Sequence, residues 1–180
     1  EKEKPMGGLI TPKFLTKDLA EHAVTMALTS LYVHNADLMK PEKPHVHVAV
    51  IVPARIQEFA EFNPGDVKMV IKPFLLFETT WGDPDTLGDS QIVGIARSKV
   101  RELWFGQQDG GTDTVPHLLY PGDTPYWGGV FRSGIAVACS GVKPWKDRWV
   151  ASQAADTMIA LAYDAWDKST DKAEKAAFLT

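Results

Sequence analysis

Two histidines separated by a single residue, His45 and His47, begin a segment rich in β-branched residues. Side chains at positions i and i+2 lie on the same face of a β-strand, so both imidazoles can approach one metal ion or one haem iron. A metal site would need a third ligand from elsewhere in the chain, such as His117 or Glu78. The alternative is that both histidines lie at a strand entrance, exposed to solvent or hydrogen-bonded within the protein.

Two cations, Arg97 and Lys99, can bind a carboxylate, because arginine offers a planar fork of donors and lysine offers a point charge. Both lie in a predicted helix, where a spacing of two residues puts them on different faces. One of them can therefore serve a ligand while the other forms a structural ion pair.

Two adjacent glycines, Gly128 and Gly129, can admit a ligand close to the backbone or offer N–H groups to an anion. A turn is the simpler alternative for either glycine. Neither belongs to a phosphate-binding loop, since no glycine loop joins a strand directly to a helix at the required spacing. The single cysteine, Cys139, alternates with Ile135 and Val137 along a predicted strand, so we expect it to be packed in the core.

Aromatic residues are the last group with possible binding chemistry. The chain has 6 tryptophans and 4 tyrosines, and several of them fall in predicted loops. Aromatic walls suit a flat apolar ligand or an interface between subunits. We select Trp81, Tyr126 and Trp127 as pocket or interface residues, with core packing as the alternative.

Composition indicates a single domain, because 180 residues, 44% of them apolar, are enough for one substantial core. The net charge of -4 argues against nucleic acid as a partner, since phosphate binding needs clustered Lys and Arg. No apolar run approaches the roughly 20 residues of a membrane span, so we expect a soluble protein. The sequence begins with charged residues and not with Met, so we expect either a cytoplasmic location or export after removal of a leader.

The spacing of apolar residues predicts an α+β domain in which helices cover an antiparallel sheet. Helices are expected over residues 16–34, from residue 90 to about 105, and from Asp147 onward. Strands are expected over residues 45–52, 55–62, 68–78 and 131–140. Pro73 indicates a sheet edge or a bulge.

Long loops separate these elements at residues 79–89 and 107–129, and their length is typical of binding loops. A shorter turn is predicted at residues 63–66. We divide the chain into an N-terminal arm (1–14), one domain (15–168) and a C-terminal tail (169–180).

Five short segments, taken in order, resemble the GlcG/HbpS-like family of glycolate-operon proteins and extracellular haem-binding proteins. They are Leu15–Thr16 with Ala20, Ala23 and Ala27, then Val46–Val50, Ile95–Lys99, Gly128–Val130 and Ser140–Gly141. The resemblance covers about residues 15 to 165. It implies a profilin-like α+β fold, frequent homo-oligomerisation and a small-molecule or haem-related role.

The chain also departs from the family pattern. Val52, Pro53 and Ala54 stand where a turn of Asp and Gly is usual, and Phe131 stands where proline is usual. These departures indicate a specialised ligand. No haem-ligating residue of the family maps onto a position of this chain.

Two hypotheses follow from these residues. The first is a binding protein for haem or another small, anionic, partly apolar ligand, assembled as a homo-oligomer with its pocket near Arg97 and Gly128. The second is an enzyme that acts on a small carbonyl or hydroxy-acid compound, with Arg97 or Lys99 orienting a carboxylate. In that enzyme, His117 or the pair of His45 and His47 would be the acid–base group.

Overall fold

One antiparallel sheet of five strands organises the computed structural model, which describes residues 9–34, 45–59, 67–82, 91–111, 116–175, 177 and 179. The strands are β1 (Leu9–Ile10), β2 (Val46–Phe59), β3 (Val67–Trp81), β4 (Gly129–Arg132) and β5 (Ile135–Ser140). β2 is central: β3 pairs with one of its edges, while β5 and β1 share the other edge, and β4 extends the sheet beyond β5.

Helices cover both faces of this sheet. They are α1 (Lys17–Thr29), α2 (Ile92–Trp104), α3 (Pro144–Asp167) and the short α4 (Thr170–Ala173). Along β2, Val46, Val48, Val50 and Val52 enter the core formed with α1 and α3, whereas Ala49 and Ile51 pack with α2. This two-residue alternation is the side-chain period of a strand. The prediction of an α+β domain with an antiparallel sheet is therefore confirmed.

Helix α1 follows the predicted pattern closely. The side chain of Thr16 accepts a hydrogen bond from the backbone N–H of Leu19 at 3.2 Å, and Asp18 lies in the first turn, where the helix dipole favours an acid. Its buried residues are Ala20, Ala23, Val24, Ala27 and Leu28. After Thr29 the chain widens into a π-helical turn at Ser30–His34, so helical structure extends to the predicted end.

The two strands predicted over residues 45–52 and 55–62 are one strand, β2, which continues through Pro53. Pro53 lies opposite Pro73 of β3, and on the other edge β5 pairs only up to Ile51 while β1 begins at Arg55. Among the described strands, therefore, none needs an N–H from Pro53. The predicted turn at residues 63–66 lies outside the described residues.

Strand β3 is longer than predicted. It runs through Thr79, Thr80 and Trp81, which were expected to begin a loop, and pairs them with the start of β2. Among the described strands, β3 pairs with β2 alone, so Pro73 lies on an edge strand as predicted. A bulge falls close by, where the register shifts between Val50 and Ile51.

The prediction of a single strand over residues 131–140 is wrong. Ser133 and Gly134 both have positive φ, at 47° and 82°, and they connect β4 to β5 as a two-residue hairpin turn. The last long helix begins at Pro144 rather than at Asp147, which agrees with the frequency of proline in the first helical turn.

Two regions assigned to the arm and the tail contribute regular structure: β1 joins the sheet, and α4 carries Asp171, which bonds to Lys13. Among the described helices, none is long and apolar enough to cross a membrane.

Candidate functional site

One end of the sheet, where β2 begins, carries a network of polar side chains. The strand register sets His47 opposite Thr80 and Ala49 opposite Glu78. His47 Nδ1 lies 2.7 Å from Thr80 Oγ1, and His47 Nε2 lies 3.3 Å from Glu78 Oε2. From α2, Arg97 donates to both carboxylate oxygens of Glu78, with 2.8 Å between Arg97 Nε and Oε2.

These contacts set the charges of the network. Burial lowers the pKa of His47 below its ordinary value of 6.5, and Glu78 offsets part of that effect. The hydrogen bond from Arg97 lowers the pKa of Glu78, and the same contact raises the pKa of Arg97. The network therefore holds a neutral imidazole against an ionised carboxylate and guanidinium near pH 7.

The geometry of the described residues does not support the hypothesis that His45 and His47 bind a metal ion. His45 and His47 are both buried, and both ring nitrogens of His47 already have neighbours. Within the described part of the chain, no group of three His, Cys, Asp or Glu side chains could hold a metal ion. Of the proposed third ligands, Glu78 contacts His47 as part of the network, and His117 lies exposed on a short 3-10 turn, Pro116–Leu118.

A buried ion pair lies at the same end of the sheet. Lys99 Nζ is 3.0 Å from Asp147 Oδ2 and donates to the carbonyl oxygen of Cys139 at 2.9 Å. The other oxygen of Asp147 accepts the N–H of Val142 at 3.2 Å. The side chains of Lys99 and Asp147 are only 2% and 3% exposed. This pair connects α2, β5 and α3.

The same environment governs two titratable groups. Burial raises the pKa of Asp147, although the ammonium of Lys99 acts in the opposite direction. Burial also raises the pKa of the Cys139 thiol well above its ordinary value, so the thiolate is disfavoured. The prediction that Cys139 is packed agrees with its position in the core.

The two glycines allow close packing at this end. A Cβ on Gly128 would lie 2.7 Å from Asp147 Cβ and 3.2 Å from Lys99 Nζ, and the φ of Gly128 is 130°. A Cβ on Gly129 would lie 2.5 Å from Leu103 Cδ1. Gly128 therefore covers the ion pair, and Gly129 lets α2 pack against β4.

Arg97 and Lys99 lie on different faces of α2, as their spacing predicted. Arg97 is exposed and pairs with Glu78, while Lys99 is buried and pairs with Asp147. Both cations therefore already have a carboxylate from within the chain.

The predicted aromatic residues do not gather at one site. Trp81 packs on the α1 side of the sheet, with its ring centroid 5.9 Å from that of Tyr32, whereas Arg97 lies on the α2 side. Tyr126 is exposed and Trp127 is half-buried in the segment before β4. That segment is fixed to α2 through buried Glu102, which accepts the N–H of Thr124 at 2.9 Å.

The opposite end of the sheet contains a cavity of about 960 Å³. The segment before α1, the middle of β2 and β3, the β4–β5 turn and the second half of α3 surround it. Its lining residues are Ile10, Thr11, Pro12, Lys13, Phe14, Leu15, Pro53, Arg55, Ile71, Ser133, Gly134, Ile135, Ile159, Ala162, Tyr163, Trp166 and Leu179. The walls are therefore mainly apolar and aromatic.

Two cations belong to this cavity, and they differ in their surroundings. Lys13 forms an ion pair with Asp171. Arg55 is exposed, and among the described residues it has no acidic partner. Arg55 lies eight residues after His47 on β2, about 26 Å away at the usual strand rise of about 3.3 Å per residue.

Sequence reasoning did not identify this cavity. Its walls come from segments far apart in the chain, from Ile10 to Leu179. One available signal was Tyr163 with Trp166 near the end of α3, where two large aromatic residues face the rim rather than the core.

Comparison with known proteins adds no relative: no family model, no curated protein and no solved structure matches the chain. The resemblance to the GlcG/HbpS-like family and its profilin-like fold therefore stay predictions, and the proposals below rest on the residues of this chain.

Proposed function

We propose that this protein binds a small, partly apolar molecule in the cavity between the β4–β5 turn, the second half of α3 and the segment before α1. The observation that carries the proposal is the cavity itself, about 960 Å³ with mainly apolar walls. Its volume lies at the upper end of the range of about 300–1,000 Å³ for small-molecule sites. The first of the two sequence hypotheses is thus kept, but its site moves to the other end of the sheet.

The physical support is the apolar surface that the cavity leaves in contact with water. Ile10 is 56% exposed and Ile71 is 62% exposed. A ligand that covers such surface gains roughly 25 cal/mol per Å² of apolar area removed from water. Tyr163 and Trp166 add aromatic faces against which a flat or branched ligand can pack.

The polar end of the sheet supports this choice by contrast. Arg97, Lys99 and His47 have partners within the chain, so a ligand there would first have to displace Glu78, Asp147 or Thr80. For that reason the enzyme hypothesis, with Arg97 or Lys99 as an anchor, has less support than binding in the cavity.

Haem is the most specific ligand that the binding hypothesis names. Among the described residues that line the cavity there is no His, Cys or Met, and Tyr163 carries the side chain best suited to ligate haem iron. A haemin titration followed by the Soret band tests this form directly. We expect any haem in the cavity to lose its Soret shift in Tyr163→Phe and to keep it in a His45/His47 double alanine variant.

The proposal is tested with the neutral dye Nile red, whose emission increases in apolar surroundings. Ala162 lines the cavity on α3, while Ala160 is exposed on the same helix outside it. We expect the wild type and Ala160→Trp to bind the dye saturably. We expect Ala162→Trp, which fills the cavity, to bind it at least about tenfold more weakly, about 1.4 kcal/mol. Equal binding by the two variants, or no saturable binding by the wild type, contradicts the proposal.

The prediction of a homo-oligomer is tested with the same proteins. If a second copy of the chain covered the cavity, Ala162→Trp would lower the native mass measured by light scattering. If a small ligand occupies it, the native mass of Ala162→Trp will equal that of Ala160→Trp and only dye binding will change.

A further inference from the structure

We infer that the ligand is a monocarboxylate with a hydrocarbon body, and that Arg55 binds its carboxylate. The inference rests on the binding function proposed above and narrows it to a chemical class. It comes from the position of Arg55 between two exposed isoleucines on neighbouring strands.

The sheet register creates this arrangement. Arg55 of β2 is the direct partner of Ile10 on β1 and of Ile71 on β3. Directly paired residues of an antiparallel sheet project from the same face. The cavity therefore has a row of isoleucine, arginine and isoleucine across three strands, in which one guanidinium lies between two apolar side chains.

Lys13 does not offer a second free charge. Its partner Asp171 has a side chain that is only 2% exposed. Releasing Lys13 to a ligand would leave a buried carboxylate without its cation, which is strongly unfavourable. Arg55, in contrast, has no acidic partner among the described residues of the chain. One available cation matches one negative charge on the ligand.

The headgroup chemistry follows from the guanidinium. Its planar fork of N–H donors matches the two oxygens of a carboxylate and can bind them through two parallel hydrogen bonds. A second negative charge would meet apolar walls without a partner, which costs free energy. The hydrocarbon body would then pack against Ile10, Ile71 and Tyr163, and the hydroxyls of Thr11 and Ser133 remain for a neutral polar group.

The experiment compares three ligands with the same ten-carbon chain: decanoate, the neutral decan-1-ol and the more highly charged decyl phosphate. Each is titrated calorimetrically at about pH 7 into the wild type, Arg55→Gln, Arg55→Lys and Arg132→Gln. Arg132 of β4 is the control, because it is an arginine of the same sheet that pairs with Asp156 and does not line the cavity.

We expect Arg55→Gln to weaken decanoate binding about two- to fivefold, the upper part of the range for an exposed charge pair, and to leave decan-1-ol binding unchanged. Arg55→Lys should recover part of the loss, since it restores the charge without the fork. Arg132→Gln should bind both ligands like the wild type. In the wild type, decanoate should bind more tightly than decan-1-ol and decyl phosphate.

The outcomes separate the two proposals. If Arg55→Gln binds decanoate as tightly as the wild type, or if decyl phosphate is preferred, the inference about the carboxylate fails while binding in the cavity stands. If Ala162→Trp leaves the binding of decan-1-ol and decanoate intact, the ligands bind elsewhere and both proposals fail. The same holds if neither ligand nor Nile red binds the wild type.

Discussion

At the end of the sheet where β2 begins, Lys99 bonds to Asp147 and to a carbonyl oxygen, and Arg97 bonds to Glu78. At the other end, Arg55 lies between Ile10 and Ile71 without an acidic partner among the described residues. At the first end these cations have partners within the protein, whereas the second end exposes a cation and apolar walls around a cavity. Residue types that suit ligand binding occur at both ends. The contacts of each side chain therefore show whether it stabilises the fold or is available to a ligand.

The difference has an energetic meaning. Removing one partner of a buried ion pair strongly destabilises the folded protein, because the remaining charge is buried away from water without a counter-charge. An exposed arginine on an apolar surface carries little such penalty, so a ligand can supply its partner. Substitutions at the polar end should therefore change stability, and substitutions around the cavity should change binding.

The largest expected effect is at Asp147. Asp147→Ala leaves the ammonium of Lys99 buried without its carboxylate, and we expect it to lower the free energy of unfolding by about 3–5 kcal/mol. Urea unfolding followed by circular dichroism measures this loss. The double variant Lys99→Met/Asp147→Asn, which removes both charges and keeps an acceptor for Val142 N–H, should recover more than half of it.

The matched control for Asp147 is the exposed pair of Arg132 and Asp156 near the cavity end. Asp156→Ala should cost no more than about 1 kcal/mol, because both partners remain hydrated. Equal losses in Asp147→Ala and Asp156→Ala would contradict the contrast between the two ends.

A smaller effect is expected from two glycines with positive φ, one at each end. In Gly128→Ala the new Cβ would lie 2.7 Å from Asp147 Cβ and 2.9 Å from the carbonyl oxygen of Pro144. Backbone strain and overpacking together should cost about 2–4 kcal/mol. For Gly134→Ala the Cβ meets nothing within 4 Å, so only the cost of a left-handed backbone, about 1–2 kcal/mol, remains. Thermal unfolding of the two variants checks the order, and a larger loss in Gly134→Ala would refute it.

The smallest effect concerns the pH dependence of stability. The pKa of His47 is lower in the folded protein than in the unfolded chain, so below about pH 6.5 the unfolded chain binds the proton more readily. The free energy of unfolding should therefore fall as the pH drops from about 6.5 through the lowered pKa. His47→Gln should reduce this slope by at most about 1.4 kcal/mol per pH unit.

The contact partners of His47 define the window for that measurement. Arg97 keeps its charge throughout, and Glu78, whose pKa is lowered below 4.5, stays ionised above about pH 5. Of these three groups only the imidazole of His47 titrates between about pH 7 and pH 5, so the difference in urea unfolding between the wild type and His47→Gln over this range gives its contribution. The exposed His117→Gln removes an imidazole without the burial and serves as the control. A slope in His47→Gln as steep as that of the wild type would show that burial of His47 is not its source.

The sequence predicted the elements better than their limits. The apolar period of α1 and α2 and the cap at Thr16 are local signals, and both helices formed as expected. The break at Pro53 was wrong because the tolerance for proline depends on which strands lie beside β2. The turn at Ser133 and Gly134 was missed, although a Ser-Gly pair is a recognised turn signal.

For the candidate site, too, local spacing was predictable and long-range contacts were not. The spacing of Arg97 and Lys99 correctly separated their side chains on the helix, but it could not supply Asp147, which lies 48 residues from Lys99 in the sequence. Nor could it show that His47 would bond to Thr80 and Glu78 across the hairpin. A candidate ligand-binding residue is available only if the fold leaves it without a partner, and partners come from other elements.

By itself, the sequence determined the class of fold and the two apolar faces of its central strand, because side-chain periodicity is a property of neighbouring residues. The tertiary structure alone decided which charges are paired and where a cavity remains. It aligned Arg55 with Ile10 and Ile71, and it closed the cavity with α3. These relations depend on strand register and helix packing across long sequence separations, which local patterns do not encode.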